Sequence, residues 1–168
     1  MTNMIIDTVR FGEVEVEENR VIHFVEPILG FEKSLRYVIL DHAEDSPFKW
    51  LQSADEPELA FVVTNPKFFG IDYEFELSDD LAGRLTLEAA EDALVVTIVN
   101  IPQEDPGKMT TNLLGPVVIN QKLRKAMQIV LTDTGYSTKA RLIPDDILQQ
   151  TTGSSSSAAS RASSEKGE

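Results

Sequence analysis

An all-β fold is the expectation, and three features of the chain predict it. Apolar and charged residues alternate at period two along several short segments. Turn-forming Gly, Pro, Asn and Asp punctuate those segments at regular spacing. Strands do not alternate with helix-length amphipathic runs, so βαβ units and a parallel sheet are not expected. The pattern amounts to about ten short strands with one or two short helices, the signature of a small barrel or sandwich.

Near the N-terminus, Glu13-Val14-Glu15-Val16-Glu17 alternates cleanly. Together with Val9 and Phe11 it reads as a strand with one face in water. The phase slips at Phe11-Gly12, where a bulge is expected. A turn at Asn19-Arg20 leads into Val21-Ile22-His23-Phe24, and Pro27 to Gly30 breaks the run. Leu35 to Leu40, Phe48 to Leu51 and Leu59 to Val63 are buried-strand candidates. Asn65-Pro66 ends the last of them, because proline has no N–H for a ladder. Ile71, Tyr73, Phe75 and Leu77 alternate with Asp72, Glu74 and Glu76, which predicts a second half-exposed strand. Ser78-Asp79-Asp80-Leu81 carries a helix N-cap signature, so a short helix follows.

Ala93 to Ile101 is a continuous apolar run of strand character, stopped by Pro102. A polar loop and the Gly115-Pro116 turn precede Val117-Val118-Ile119. Asn120 to Lys125 reads as a helical turn. Met127 to Leu131 and Tyr136 to Ile143 are two strands around the turn Asp133-Thr134-Gly135. After Pro144 the composition shifts; Asp145-Asp146-Ile147-Leu148 suits a last helical turn, and Ser, Ala and Gly dominate from Thr151. That stretch has too little apolar surface to offset the entropy of ordering it. The expected organisation is one β domain over residues 1–146 and a disordered Ser/Ala-rich tail over 147–168.

Composition narrows the function classes. Cysteine is absent and only His23 and His42 are present, which removes disulfide frameworks, thiolate sites and His-rich zinc sites. No cofactor is expected. The first residues lack a basic region followed by a long apolar run, so no signal peptide is expected. No apolar stretch reaches the ~18 residues of a membrane span, which points to a cytoplasmic protein without membrane contact. The net charge is −13, and the charges of Gly153 to Glu168 balance, so the negative excess lies in residues 1–152. Such a field repels nucleic acid and favours a basic partner. The run Lys122, Arg124, Lys125 is too short and interrupted to reverse that.

Motifs that carry chemistry fail on inspection. Asp133-Thr134-Gly135 matches the triplet of aspartic proteases, but Thr132 and Tyr136 replace the flanking apolar and small residues, and a tight turn explains the triplet. Gly107-Lys108 lacks the upstream Gly of a phosphate loop, and Met109 stands in place of its Ser or Thr. The acidic groups Asp41, Glu44, Asp45 and Glu88, Glu91, Asp92 lack EF-hand spacing. His23 is expected half-buried and hydrogen-bonded. Nothing assembles a nucleophile with a base, so an enzyme is not expected.

Several motifs taken together resemble a known family. Gln52-Ser53 is followed by Pro57, Leu59-Ala60-Phe61 and Asn65-Pro66. Asp72-Tyr73 comes next, then Thr111-Asn112-Leu113, Gly115-Pro116 and Ile119-Asn120. Gln128, Val130-Leu131 and Tyr136 close the series, and Phe11-Gly12, Ile22, Phe24 and Gly30-Phe31 open it. Their order and spacing over residues 4–143 resemble the flagellar assembly factor FliW family. The resemblance implies a small, mostly β, barrel-like fold in a cytoplasmic protein with two protein partners. One is CsrA, an RNA-binding repressor of flagellin translation, which such proteins sequester. The other is flagellin, which competes and frees CsrA.

Within those motifs Gln52, Ser53, Asn65, Thr111, Asn112 and Asn120 are polar and are the candidate partner-binding residues, although Asn112 and Asn120 equally suit turn-capping roles. A monomer is expected in the absence of a coiled-coil pattern. Two other classes stay open. A ligand- or carbohydrate-binding β-barrel would present exposed aromatics from among Tyr37, Trp50, Tyr73 and Tyr136. A hydrolase would need a carboxylate dyad, through Asp133 in a dimer or through another acidic pair.

Overall fold

Seven strands close into a barrel in the computed structural model, which describes residues 2–41, 44–132 and 134–143. They are β3 (Ile22–Phe24), β4 (Arg36–Asp41), β5 (Phe48–Ser53), β6 (Ala60–Thr64), β7 (Ala93–Asn100), β9 (Val117–Asn120) and β10 (Lys125–Gln128). The hydrogen-bonded order is β7-β6-β5-β4-β3-β10-β9, and β9 returns to β7. All of these pairings are antiparallel except β3 with β10. Two short strands, β8 (Thr110–Thr111) and β11 (Ala140–Arg141), extend the sheet beyond β7. A separate ribbon pairs β1 (Asn3–Thr8) with β2 (Gly12–Glu17). The fold is therefore mostly β and barrel-like, as the alternation predicts.

Closure explains why β7 reads as an unbroken apolar run. Leu94, Val96 and Ile98 point into the barrel, where Ile22, Phe24, Tyr37, Leu51, Val63, Val117 and Ile119 meet them. Ala93 and Val95 point outward into a second cluster with Tyr73, Leu85, Leu113, Val118, Met127 and Ile129. A strand buried on both faces has no polar face to show. Ile28 caps the barrel interior from the loop after β3. A third cluster, Ile6, Val21 and Val38, seats the ribbon on β4. A fourth joins Val99, Met109 and Leu142 with Phe69 and Ile71.

The structure redraws several elements: of Met127 to Leu131 only Met127 and Gln128 are strand, within β10, and of Tyr136 to Ile143 only Ala140–Arg141 is strand, paired with β8. The strand expected across Val9 to Val16 with a bulge at Gly12 is a hairpin. Val9 to Phe11 form its turn, Gly12 takes φ +70°, and the preceding arm is Asn3–Thr8. The Thr8 hydroxyl accepts from Phe11 N–H and donates to Gly12 C=O, which fixes the turn. Residues 71–77 do alternate, with Tyr73 buried and Asp72, Glu74 and Glu76 exposed, but they join no ladder. Asn120 to Lys125 makes the β9–β10 hairpin turn, a single helical-type turn closed by Arg124 N–H to Asn120 C=O at 2.8 Å, with Arg124 at φ +57°. His23 is exposed, because β3 directs Ile22 and Phe24 inward and the residue between them outward. The helix predicted at Ser78 is α1 (Asp79–Arg84), whose N-cap Ser78 hydroxyl accepts from Leu81 N–H. The helical turn expected at 145–148, the tail and Asp133 lie outside the described residues.

Candidate interaction surface

The six candidate binding residues are mostly spent inside the molecule. Gln52 is fully buried, and its Nε2 donates to the carbonyls of Ser53, Pro57 and Leu59. Ser53 is buried too; its Oγ accepts from the N–H groups of Asp55 and Glu56 and bonds Ser34 Oγ at 2.8 Å. Thr111 Oγ1 lies 2.6 Å from Thr97 Oγ1 and 2.9 Å from Ile98 C=O, sharing its one proton within the sheet. Asn120 is buried and makes four bonds: Nδ2 to the carbonyls of Leu85 and Thr86, Oδ1 from the N–H groups of Lys122 and Leu123. Those four side chains face inward, so a partner cannot reach them without unfolding. Asn65 and Asn112 are half-buried caps. Asn65 Oδ1 accepts from Lys67 N–H at the start of a 3-10 turn, and Asn112 Oδ1 accepts from Leu114 and Gly115 N–H.

Burial and local hydrogen bonds set the shifted ionisable groups. Burial pushes the Tyr37 phenol up to about 12, so it stays neutral in the barrel. Burial also raises the Tyr73 phenol, which donates to Leu113 C=O at 2.5 Å. Partial burial works against ionised Asp55, but hydrogen bonds from Leu35 N–H and from Arg36 backbone and side chain outweigh it and hold its carboxyl low. Among the described residues no group of three or more His, Asp or Glu converges as a metal site.

Three exposed features remain. The outer face of the ribbon aligns Asp7 opposite Glu13 and Ile5 opposite Glu15, with Ile5 63% exposed. Like charges directly across a strand pair cost stability, so this face is concentrated negative charge around an apolar point. Its tip is anchored by Arg10, which stacks 4.2 Å from the Trp50 ring centroid, and by Phe11 edge-on to Trp50. At one end of the barrel Leu29 and Val130 are exposed around Gln128, whose Oε1 accepts from Leu29 N–H. On the flank, residues 71–77, α1 and β7 enclose a cleft of about 650 Å³. Tyr73, Phe75, Leu77, Leu87 and Val95 line it, with Lys67, Glu74 and Glu88 among its polar residues. Sequence reading missed this cleft; its one signal was apolar alternation at 71–77 ahead of a helix cap.

A closed β-barrel with a charged ribbon, an apolar end and a flank cleft defines the class as a small β-barrel protein that presents several surfaces. The FliW family model, described as FliW protein, matches residues 5–142. The flagellar assembly factor FliW of Magnetococcus marinus is 44% identical over 147 residues, spanning 88% of this chain and 90% of the relative. That of Alkaliphilus metalliredigens is 38% identical over 143 residues, spanning 84% and 88%. A crystal structure of the flagellar assembly factor FliW superposes with TM-score 0.76 at 34% identity, covering 84% of this chain and 98% of the other. The chain belongs to the FliW family, and that membership supports a role in flagellar assembly. Among the described residues no helix is long and apolar enough to cross a membrane.

Proposed function

We propose that the chain is a cytoplasmic flagellar assembly factor that binds CsrA and relieves repression of flagellin translation. Flagellin competes for the same protein and returns CsrA to its RNA. Neither step requires chemistry from this chain, which acts by occupancy. Family membership supports the reading, and the ribbon supplies a physical rationale. Asp7, Glu13 and Glu15 project from one exposed face of a protein of net charge −13. Docked beside a basic RNA-binding surface, such a face repels phosphates over about one Debye length, ~8–10 Å at physiological salt. The RNA site then need not be covered.

Size-exclusion chromatography with light scattering tests this on the full chain mixed with CsrA and flagellin of the same organism. The expected result is a stoichiometric CsrA complex that flagellin displaces. RNA affinity of CsrA in that complex should recover as salt rises. A CsrA complex whose RNA antagonism ignores salt would overturn the charge mechanism. No complex with either protein would overturn the whole reading and bring forward a ligand-binding barrel, with the 650 Å³ cleft as its site.

A further inference from the structure

The free edge of β7 faces the flank cleft, and we propose that this slot accepts an extended peptide strand from a partner protein. β6 covers β7 only at Thr97, Ile98 and Val99. One residue beyond Thr64, Asn65-Pro66 turns the chain into a 3-10 helix (Pro66–Phe69), so β6 cannot continue along β7. Ala93 to Val96 pair with β9 on their other edge and, among the described residues, with no strand on this one. The chain returns as residues 71–77, extended and alternating, yet no backbone hydrogen bond ties them to β7. Tyr73, Phe75 and Leu77 from that segment and Ala93, Leu94 and Val95 from β7 all line the cleft. The cleft thus lies between an extended segment and the uncovered stretch of a strand, a setting that suits an added strand.

The chemistry of the slot selects its occupant. Every second residue of an edge strand directs its N–H and C=O outward, and only another peptide backbone matches that spacing. An acyl chain or sugar would leave those groups to water. The side walls are apolar, so the peptide carries apolar side chains at alternate positions. Glu74 and Glu88 line the cleft, Asp72 and Glu76 are exposed on the same segment as Glu74, and Lys67 is ion-paired to Glu74 at 3.0 Å. The remaining rim charge is negative, so the peptide carries Lys or Arg at its flanks. A second copy of this chain is disfavoured by net charge −13. Its own C-terminal segment fits poorly. The large apolar residues after Pro144 are Ile147 and Leu148, which are adjacent and would point to opposite sides of a strand.

The inference rests on the chain binding protein partners, but not on which ones. A phage-displayed library of random twelve-residue peptides, selected on the full chain, tests it independently of CsrA and flagellin. The expected winners alternate apolar residues and carry basic flanks. They should slow amide exchange across Ala93 to Val96. Ala90→Trp, which adds bulk at an exposed lining residue, should weaken them about tenfold or more. Glu88→Lys should weaken them less, and progressively less as salt rises. No selected peptide, or peptides that bind Ala90→Trp unchanged, would overturn the proposal. So would protection of Ala93 to Val96 in the free chain that is lost in Ile147→Asp/Leu148→Asp, because the occupant would then be the chain itself.

Discussion

The two edges of β7 meet the same problem and solve it in opposite ways. On one edge the neighbouring strand is interrupted: Thr111 pairs with Val99 and Val117 with Val96, and Asn112 to Pro116 leave the ladder between them. Every N–H in that excursion finds an acceptor, in Ile98 C=O, Ser137 C=O and twice in Asn112 Oδ1. The carbonyls of Leu113, Leu114, Gly115 and Pro116 accept from Tyr73 Oη, Leu131 N, Gln128 Nε2 and Ile129 N. On the other edge the interruption at Asn65-Pro66 is capped, but the strand beside it is left uncovered. The polar signature is alike at both places. What differs is whether later segments return to complete the pairing. A closed edge builds the barrel; an open one leaves room for another chain.

Asn120→Ala should give the largest loss, because Asn120 ties the closed edge to the end of α1 through two bonds and caps the β9–β10 turn through two more. Each net hydrogen bond contributes about 1 kcal/mol, so the expected destabilisation is about 4 kcal/mol by urea titration. A loss below about 1 kcal/mol would mean water replaces the side chain and the closed edge is not held by it. Gly115→Ala comes next. An added Cβ would lie 2.9 Å from Gln128 Nε2 and 3.0 Å from Asn112 Nδ2, which forces apart the two side chains that satisfy the excursion. About 2 kcal/mol is expected, with faster exchange at Leu114 and Gly115.

Much of this architecture is legible in the sequence, and the misses share one cause. Period two located β2, and apolar runs located β4, β5, β6 and β7, because burial on one or both faces writes itself into side-chain order. Ser78 announced α1 because a cap is a local interaction. The motif residues Gln52, Ser53, Thr111 and Asn120 looked like a surface because polar side chains usually face water. Their partners lie across other strands or in loops, as Asn120 with Leu85 and Thr86, and no linear pattern encodes that return. Residues 71–77 show the converse. Alternation reports which side chains are buried; it does not report whether the backbone finds a ladder. The cleft was hidden for that reason.

A gain in stability should follow at the cleft. α1 ends with Leu87 N–H bonded to Ala82 C=O and Thr86 N–H to Gly83 C=O, which places Thr86 at φ +55°. That left-handed position favours glycine and penalises a β-branched side chain. Thr86→Gly should stabilise the fold by about 1 kcal/mol, less the loss of the Lys125 Nζ contact to Thr86 Oγ1. Destabilisation instead would mean that this contact outweighs the backbone strain.

The smallest effect separates the two edges most sharply. One hydroxyl does for residues 71–77 what a ladder would otherwise do: Tyr136 Oη accepts from Glu74 N–H at 3.0 Å and donates to Glu74 C=O at 2.8 Å. The site is exposed, so water can replace both bonds, and Tyr136→Phe should cost under ~1 kcal/mol. Its consequence should be local. Glu74 amide exchange should accelerate while the amides of β9 and β10 keep their protection, because nothing else on the closed edge depends on that hydroxyl. A uniform acceleration through β9 and β10 would mean that the 71–77 segment and the barrel open as one unit. The open edge of β7 would then be as rigidly held as the closed one, and the cleft beside it would be a packing gap rather than a place where the chain can admit a strand.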